Sequence, residues 1–239
     1  GEDMPPAVAV MNPHRAGARY PFLGLCSAGL AYKAVQAYRL RYGDQGLPLE
    51  SLLDLVALAT IADVVPLQDE NRGFVREGLA QISRGARCGI RALKQVAGIT
   101  RDCVPETIAF KLAPRLNAAG RLDHAMLGVQ LLTTESPAEA QRLAERLEEL
   151  NRERQKIEAN VLSEAVDAIN EEELPAALVL ASRRWHVGVV GIVAARLVDR
   201  FHRPAVVIAI DELGVGKGSA RTVGGFDLYQ GLATCQDLL

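Results

Sequence analysis

Four stretches of this sequence carry side chains that could do chemistry on a charged substrate. Leu58 to Leu67 is an apolar run with a single carboxylate, Asp63, in its middle. A buried ionised carboxylate is costly unless it is paired, hydrogen-bonded or bound to a metal. The first basic residue after Asp63 is Arg72, so a metal ion is one reading. An aspartate at a helix or strand end, satisfied by backbone N–H groups, is the other. Pro114 to Arg121 sets Arg115, Asn117 and Arg121 among small residues, where guanidinium forks can match phosphate oxygens in pairs; an exposed turn after a helix explains the same residues. Trp185 to Ile192 places His186 and Gly188 between a strand and a helix, where backbone N–H groups hold anions, or where His186 simply caps the turn. Gly214 to Arg221 is glycine-rich and basic but lacks the nucleotide-binding fingerprints. In a strand, Ser219 and Arg221 point to the same face and could grip one phosphate together; a plain hairpin is the alternative. No nucleophilic triad is evident at motif spacing.

The elements that must position these groups are legible in the pattern. Ala7 to Val10 reads as a short strand ending at the Asn12-Pro13 turn. Ser27 to Tyr42 reads as a helix capped by Ser27 and stopped by Gly43. Pro48 to Ala62 is a very apolar helix, buried on most sides. Shorter helices follow at Asn71 to Ile82, Ile90 to Ala97 and Pro105 to Leu112. Pro137 to Asn170 is a long helix with Ser136 as N-cap and Glu139 in capping-box position. Its apolar seam is narrow, which suits a connector rather than a core helix. Ala176 to Leu180, Val189 to Phe201 and Ala205 to Ile210 form a βαβ crossover, and Lys217 to Arg221 another strand.

Hydrophobic and charged contents of 49% and 23% describe a soluble globular chain, and the 5% of aromatic residues leaves little for base-stacking platforms. No apolar run is long enough to span a membrane. The four cysteines lack CxxC spacing, which points to reduced thiols in the cytoplasm. The net charge of −2 hides a strong pattern. Arg72 to Arg121 carries +7, Glu135 to Glu173 carries −7, and Ala181 to Arg221 carries +4. Two basic blocks around an acidic one suit a polyanion held between two lobes, or else they are solvated faces. The chain begins without methionine and stops inside an apolar helical pattern at Asp237-Leu238-Leu239, so it reads as a piece of a longer protein.

Taken in order, Asn12-Pro13, Asp54 to Ala57 leading into Ala62 to Leu67, Pro114 to Arg121, Trp185 to Ile192 and Lys217 to Arg221 resemble the RecJ-type single-strand-specific 5′→3′ DNA exonucleases of the DHH phosphoesterase superfamily. The resemblance covers nearly the whole chain. It implies an α/β architecture in three parts. Residues 1–135 would be the C-terminal part of a DHH catalytic lobe, mostly helical here. Residues 136–173 would be the connector helix, and 174–239 the start of a DHHA1-type substrate-binding lobe.

The resemblance further implies two-metal phosphodiester hydrolysis with Mn²⁺ or Mg²⁺. Asp63 matches the last metal-binding aspartate of the family, and the other ligands would lie upstream of Gly1. Arg115, Asn117, Arg121, His186, Gly188, Ser219 and Arg221 fall in segments like those that contact DNA and phosphate. One departure is Ala220, where the family usually has glycine; a glycine- and histidine-rich motif would follow beyond Leu239. Single-stranded DNA is the implied partner, with repair and single-strand-binding proteins as further candidates and no membrane. The chain alone is expected to be inactive. The alternatives are a phosphodiesterase for short oligonucleotides or cyclic dinucleotides and a non-catalytic binder of single-stranded DNA.

Overall fold

The computed structural model describes residues 5–43, 46 and 48–235. They form two compact units, the first from residues 1–114 and 129–145, the second from residues 115–128 and 146–239. Among the described residues no helix is long and apolar enough to cross a membrane.

The first unit is helical. It holds α1 (Ser27–Tyr42), a 3₁₀ turn (Leu49–Leu52), α2 (Leu53–Ala62), α3 (Asp69–Arg84), α4 (Cys88–Val96) and α5 (Pro105–Thr107), which runs on into a π-helical turn (Ile108–Leu112). Helix α2 is apolar on nearly every side and buries Leu53, Val56, Ala57, Leu58 and Ile61. Tyr32, Leu49, Leu53 and Val56 form a core on which Val35, Leu52 and Phe74 pack. The rings of Tyr32 and Phe74 meet edge-on, 5.1 Å apart. Gly85 closes α3 in the left-handed region, and Lys94 donates to the carbonyls of Ile82 and Ser83 at its end.

Two expectations for this unit need correction. Ala7 to Val10 forms no strand. No strand among the described residues lies beside it, and an extended segment without a neighbour has no ladder to join. Ser27 does not cap α1 either. It is the first helical residue, and Cys26 occupies the cap position in extended conformation.

The second unit is a small α/β layer. It contains β1 (Leu178–Ser182), α9 (Val190–Phe201), β2 (Ala205–Ile210), β3 (Gly216–Arg221) and α10 (Leu228–Ala233). Helices α6 (Ala113–Leu122), α7 (Met126–Thr133) and α8 (Pro137–Asp167) each contribute residues to both units. Strand β1 pairs parallel with β2, Leu178 opposite Ala205. A parallel pair needs a crossover, and α9 supplies it. Strand β3 returns antiparallel, with Ser219 opposite Val207 and Arg221 opposite Ala205. Burial alternates along β2, so Ala205, Val207 and Ala209 face the core under α9.

The segment expected as a strand from Ala176 to Leu180 pairs two residues later, from Leu178 to Ser182. Pro114 to Arg121, for which an exposed turn is the alternative, is helical. Helix α8 is not only a connector. Val161 and Ala165 belong to the second unit's core, with Ile157, Leu162 and Val166 packed against it. These five positions widen the apolar seam to a stripe over its C-terminal third. At its start Ser136 Oγ accepts from the Glu139 N–H, while the Glu139 carboxylate is taken by Arg142. The capping box is therefore half formed. The apolar pattern at 237–239 lies outside the described residues.

Candidate functional site

Three of the segments singled out by residue type meet in the second unit, around the N-terminus of α9. The helix starts after Val189, and no side chain caps it. The first N–H groups of any helix lack intrahelical acceptors and carry the positive end of its dipole. Gly191, in the first turn, leaves room above that end: a Cβ there would sit 3.0 Å from Ser219 Oγ and 3.6 Å from Arg221 Nη2. The alternation of β3 puts Ser219 and Arg221 on this face together. Arg221 Nη1 donates to Ser219 Oγ at 2.9 Å.

The turn before α9 brings the third group. His186 Nδ1 accepts from the Gly188 N–H at 3.0 Å. This hydrogen bond places the ring proton on Nε2, which stays available as a donor on an exposed residue. From the end of α6, Arg121 Nη1 donates to the Gly188 carbonyl at 3.0 Å. The approach is mutual, since a Cβ on Gly188 would collide with the Arg121 carbonyl oxygen. No other residue fits that contact unchanged. The turn is anchored from behind: buried Trp185 donates through Nε1 to Glu164 at 2.9 Å, and Arg184 pairs with the same carboxylate.

The electrostatics follow from this crowding. Burial holds the Arg121 guanidinium below its usual value, and the like charges of Arg154 and Arg221 add to the effect while Glu158 opposes it. Arg154 is itself fixed by Glu158 and Asn151 on α8. Arginines held close enough to repel, beside an uncapped helix N-terminus and a serine hydroxyl, make a cradle with the charge and donors that suit an anion.

Over its full length the chain is 43% identical to 242 residues of the single-stranded-DNA-specific exonuclease RecJ of Bacillus subtilis, which is 30% of that protein. The corresponding protein of Dickeya dadantii is 40% identical over 256 residues, 98% of this chain and 44% of the relative. The crystal structure of RecJ from Thermus thermophilus in complex with Mn²⁺ superposes on 100% of the chain and 35% of its own length, with a TM-score of 0.86 at 35% identity. The chain is RecJ-like along its whole length. No protein-family model matches it. It spans less than half the length of these relatives.

The remaining RecJ-like positions are placed less simply. Arg115 and Asn117 sit about 200° apart around α6, given 100° per residue. Arg115 points to the packed side and pairs with Glu148 at 2.6 Å, both side chains 14% exposed. Asn117 is exposed, about 40° from Arg121 in helical phase. Asp63 lies in the first unit and is exposed, which corrects the expectation of a carboxylate enclosed by apolar side chains. It caps the C-terminus of α2, its N–H donating to the Ala59 carbonyl at 2.9 Å. Val64 follows at φ 54°, a left-handed conformation costly for a β-branched residue. No group of three or more His, Cys, Asp or Glu side chains that could hold a metal ion exists among the described residues. Asp63 offers one accessible carboxylate, and one carboxylate does not by itself hold a divalent ion.

Two participants carry no distinct sequence signal. Arg154 is one of many charges on α8, and only its pairing with Glu158 and nearness to Arg121 set it apart. The enclosed carboxylate is Asp54, not Asp63. It is 2% exposed and receives Arg87 through Nε at 2.9 Å and Nη2 at 3.1 Å.

Proposed function

We propose that this chain is the strand-gripping part of a single-strand-specific DNA exonuclease and that its cradle binds a phosphate of the strand. The convergence of Arg121, Ser219 and Arg221 on the N-terminus of α9 carries this reading, because it concentrates positive charge and donors at one small anion-sized position. A terminal 5′ phosphate would accept from Ser219 Oγ, the Arg221 fork and the first N–H groups of α9 at once, which fits 5′→3′ degradation. Asn117, exposed on the same side of α6 as Arg121, would meet the strand further along. The names of the relatives support DNA as substrate, and the Mn²⁺ in the solved structure supports metal-assisted hydrolysis. In this proposal Asp63 donates one carboxylate to a Mn²⁺ or Mg²⁺ pair whose remaining ligands lie outside the described residues. The setting is cytoplasmic DNA repair and recombination, with repair and single-strand-binding proteins as partners.

Fluorescence anisotropy with a short 5′-phosphorylated oligothymidylate tests the grip. Wild type should bind it more tightly than the 5′-hydroxyl form, and Arg221→Ala should remove that preference and cost about tenfold or more in affinity. Equal binding of the two oligonucleotides by wild type would refute the assignment of the cradle to a 5′ phosphate. Preference for a cyclic dinucleotide would favour the phosphodiesterase alternative.

A further inference from the structure

The loop after Asn12-Pro13 is not used by the cradle, yet it is built and charged. Asn12 Oδ1 accepts from the His14 N–H at 2.9 Å, and the Asn12 carbonyl accepts from the Arg15 N–H at 3.2 Å. A second turn follows at once, the Ala18 N–H donating to the Arg15 carbonyl at 2.9 Å, with Gly17 at φ 77° making it possible. Pro13 is buried beneath the two turns. The double turn brings Arg15 and Arg19 to the wall of one pocket of about 250 Å³, together with Asn12 and Tyr20, over a floor that includes Val10 and Leu30.

Neither guanidinium has a carboxylate partner among the described residues. Glu70, which reaches this pocket through Tyr20, is already engaged: it accepts from the Tyr20 hydroxyl and pairs with Lys33 at 2.7 Å, and Lys33 lies 5.9 Å from the centre of the Tyr20 ring. Glu70 therefore fixes Tyr20 rather than neutralising the arginines. Elsewhere in this unit, Arg84, Arg91 and Lys94 line another pocket, but the carbonyls ending α3 account for Lys94 there. Among the described residues no such account exists for Arg15 and Arg19.

We infer that the Asn12–Tyr20 loop is a second, separate binding site for nucleic-acid backbone, in which Arg15 and Arg19 hold phosphates and the Val10, Tyr20 and Leu30 surface receives the attached sugar or base. Guanidinium pairs match phosphate oxygens bidentately, and an apolar floor with an aromatic edge suits an unpaired nucleotide rather than a bare anion. This inference rests on the nucleic-acid reading of the chain proposed above.

The test uses a fluorescein-labelled oligothymidylate with a 5′ hydroxyl, so that a terminal phosphate contributes nothing. Affinity is measured against salt concentration for the wild-type chain, for Arg15→Ala/Arg19→Ala, and for the single variants Arg15→Gln and Arg19→Gln. Neutralising two single-strand phosphates contributes about 1.4 to the slope of log K against log salt. The double variant should lose that much slope and bind about tenfold more weakly at low salt, with each single variant losing about half the slope. The loop is exposed, and unchanged thermal melting is expected to show that the fold is intact. Wild-type binding with a slope unaltered in all three variants overturns the second site and leaves the proposed function standing. Failure of wild type to bind the 5′-hydroxyl strand also overturns the second site, and binding of the 5′-phosphorylated strand then decides the proposed function separately.

Discussion

Gly191 is the position at which fold and function should respond in opposite directions. Glycine in the first turn of α9 is poor for the helix, and replacing it by alanine is worth up to about 0.5–1 kcal/mol in a helix interior. The added methyl would stand 3.0 Å from Ser219 Oγ and 3.4 Å from Ser219 Cβ. That is tight rather than impossible, and the hydroxyl can yield by a few tenths of an ångström. Stability should therefore stay level or rise slightly. The cradle should suffer, because the methyl occupies the volume where an anion must approach the helix N–H groups and shifts the serine that would donate to it. Charge-assisted hydrogen bonds are worth about 1.5–3 kcal/mol each. Losing the equivalent of one, about 2 kcal/mol, weakens binding of a 5′-phosphorylated oligonucleotide roughly thirtyfold. Thermal melting and fluorescence anisotropy on Gly191→Ala read the two effects separately. A variant with wild-type melting and wild-type affinity would show that no ligand comes near Gly191, and the cradle would have to be abandoned.

Two further outcomes concern the first unit. Asp54→Asn removes the buried charge that fixes the half-buried Arg87 fork and weakens the acceptor of the Leu55 N–H, so it should cost about 3 kcal/mol and lower the melting temperature by about 10 °C. Asp54→Leu combined with Arg87→Met should recover most of that loss, and a double variant no better than the single one would contradict the ion-pair account. Burial raises the Glu70 carboxyl, but Lys33 and the Tyr20 hydroxyl outweigh it and hold the group below its ordinary value of 4.5. A lowered folded value means that the unfolded chain binds the proton first. The contribution of Glu70 to stability is thus fully present above pH 4.5 and lost as pH falls through the lowered folded value. Melting curves of wild type and Glu70→Gln should converge on acidification; a constant gap would refute the linkage.

The βαβ unit is legible in the sequence because its residues obey one rule each: β2 is a continuous apolar run of strand length, α9 carries an apolar stripe, and a parallel pair demands the crossover. The same-face placement of Ser219 and Arg221 follows from strand geometry alone. Asp63 misleads for a definable reason. Helices usually announce their end with glycine or asparagine in the left-handed position, and here Val64 takes that conformation. The apolar run therefore continues in sequence past the point where the chain turns outward to solvent. Asp54, four residues before the run's first residue, is the carboxylate that burial encloses, but its partner Arg87 is 33 positions away and no local pattern joins them. Arg115 and Arg121 look equivalent in the sequence. Helical phase separates them, one into an ion pair with Glu148 and the other into the cradle.

The mutual contact of Arg121 and Gly188 has a kinetic consequence. A free arginine side chain must surrender its rotamers when it grips a ligand, at about 0.5–1.5 kcal/mol for a side chain immobilised at an interface. Arg121 has already surrendered them to the Gly188 carbonyl, and the turn is held in shape by the Arg121 backbone in return. In the proposed cradle, ligand capture would require no search by this group, and association would proceed without that delay. Loosening the turn would then slow capture before it altered the final complex, so in the proposed role the order is built in before a strand would arrive.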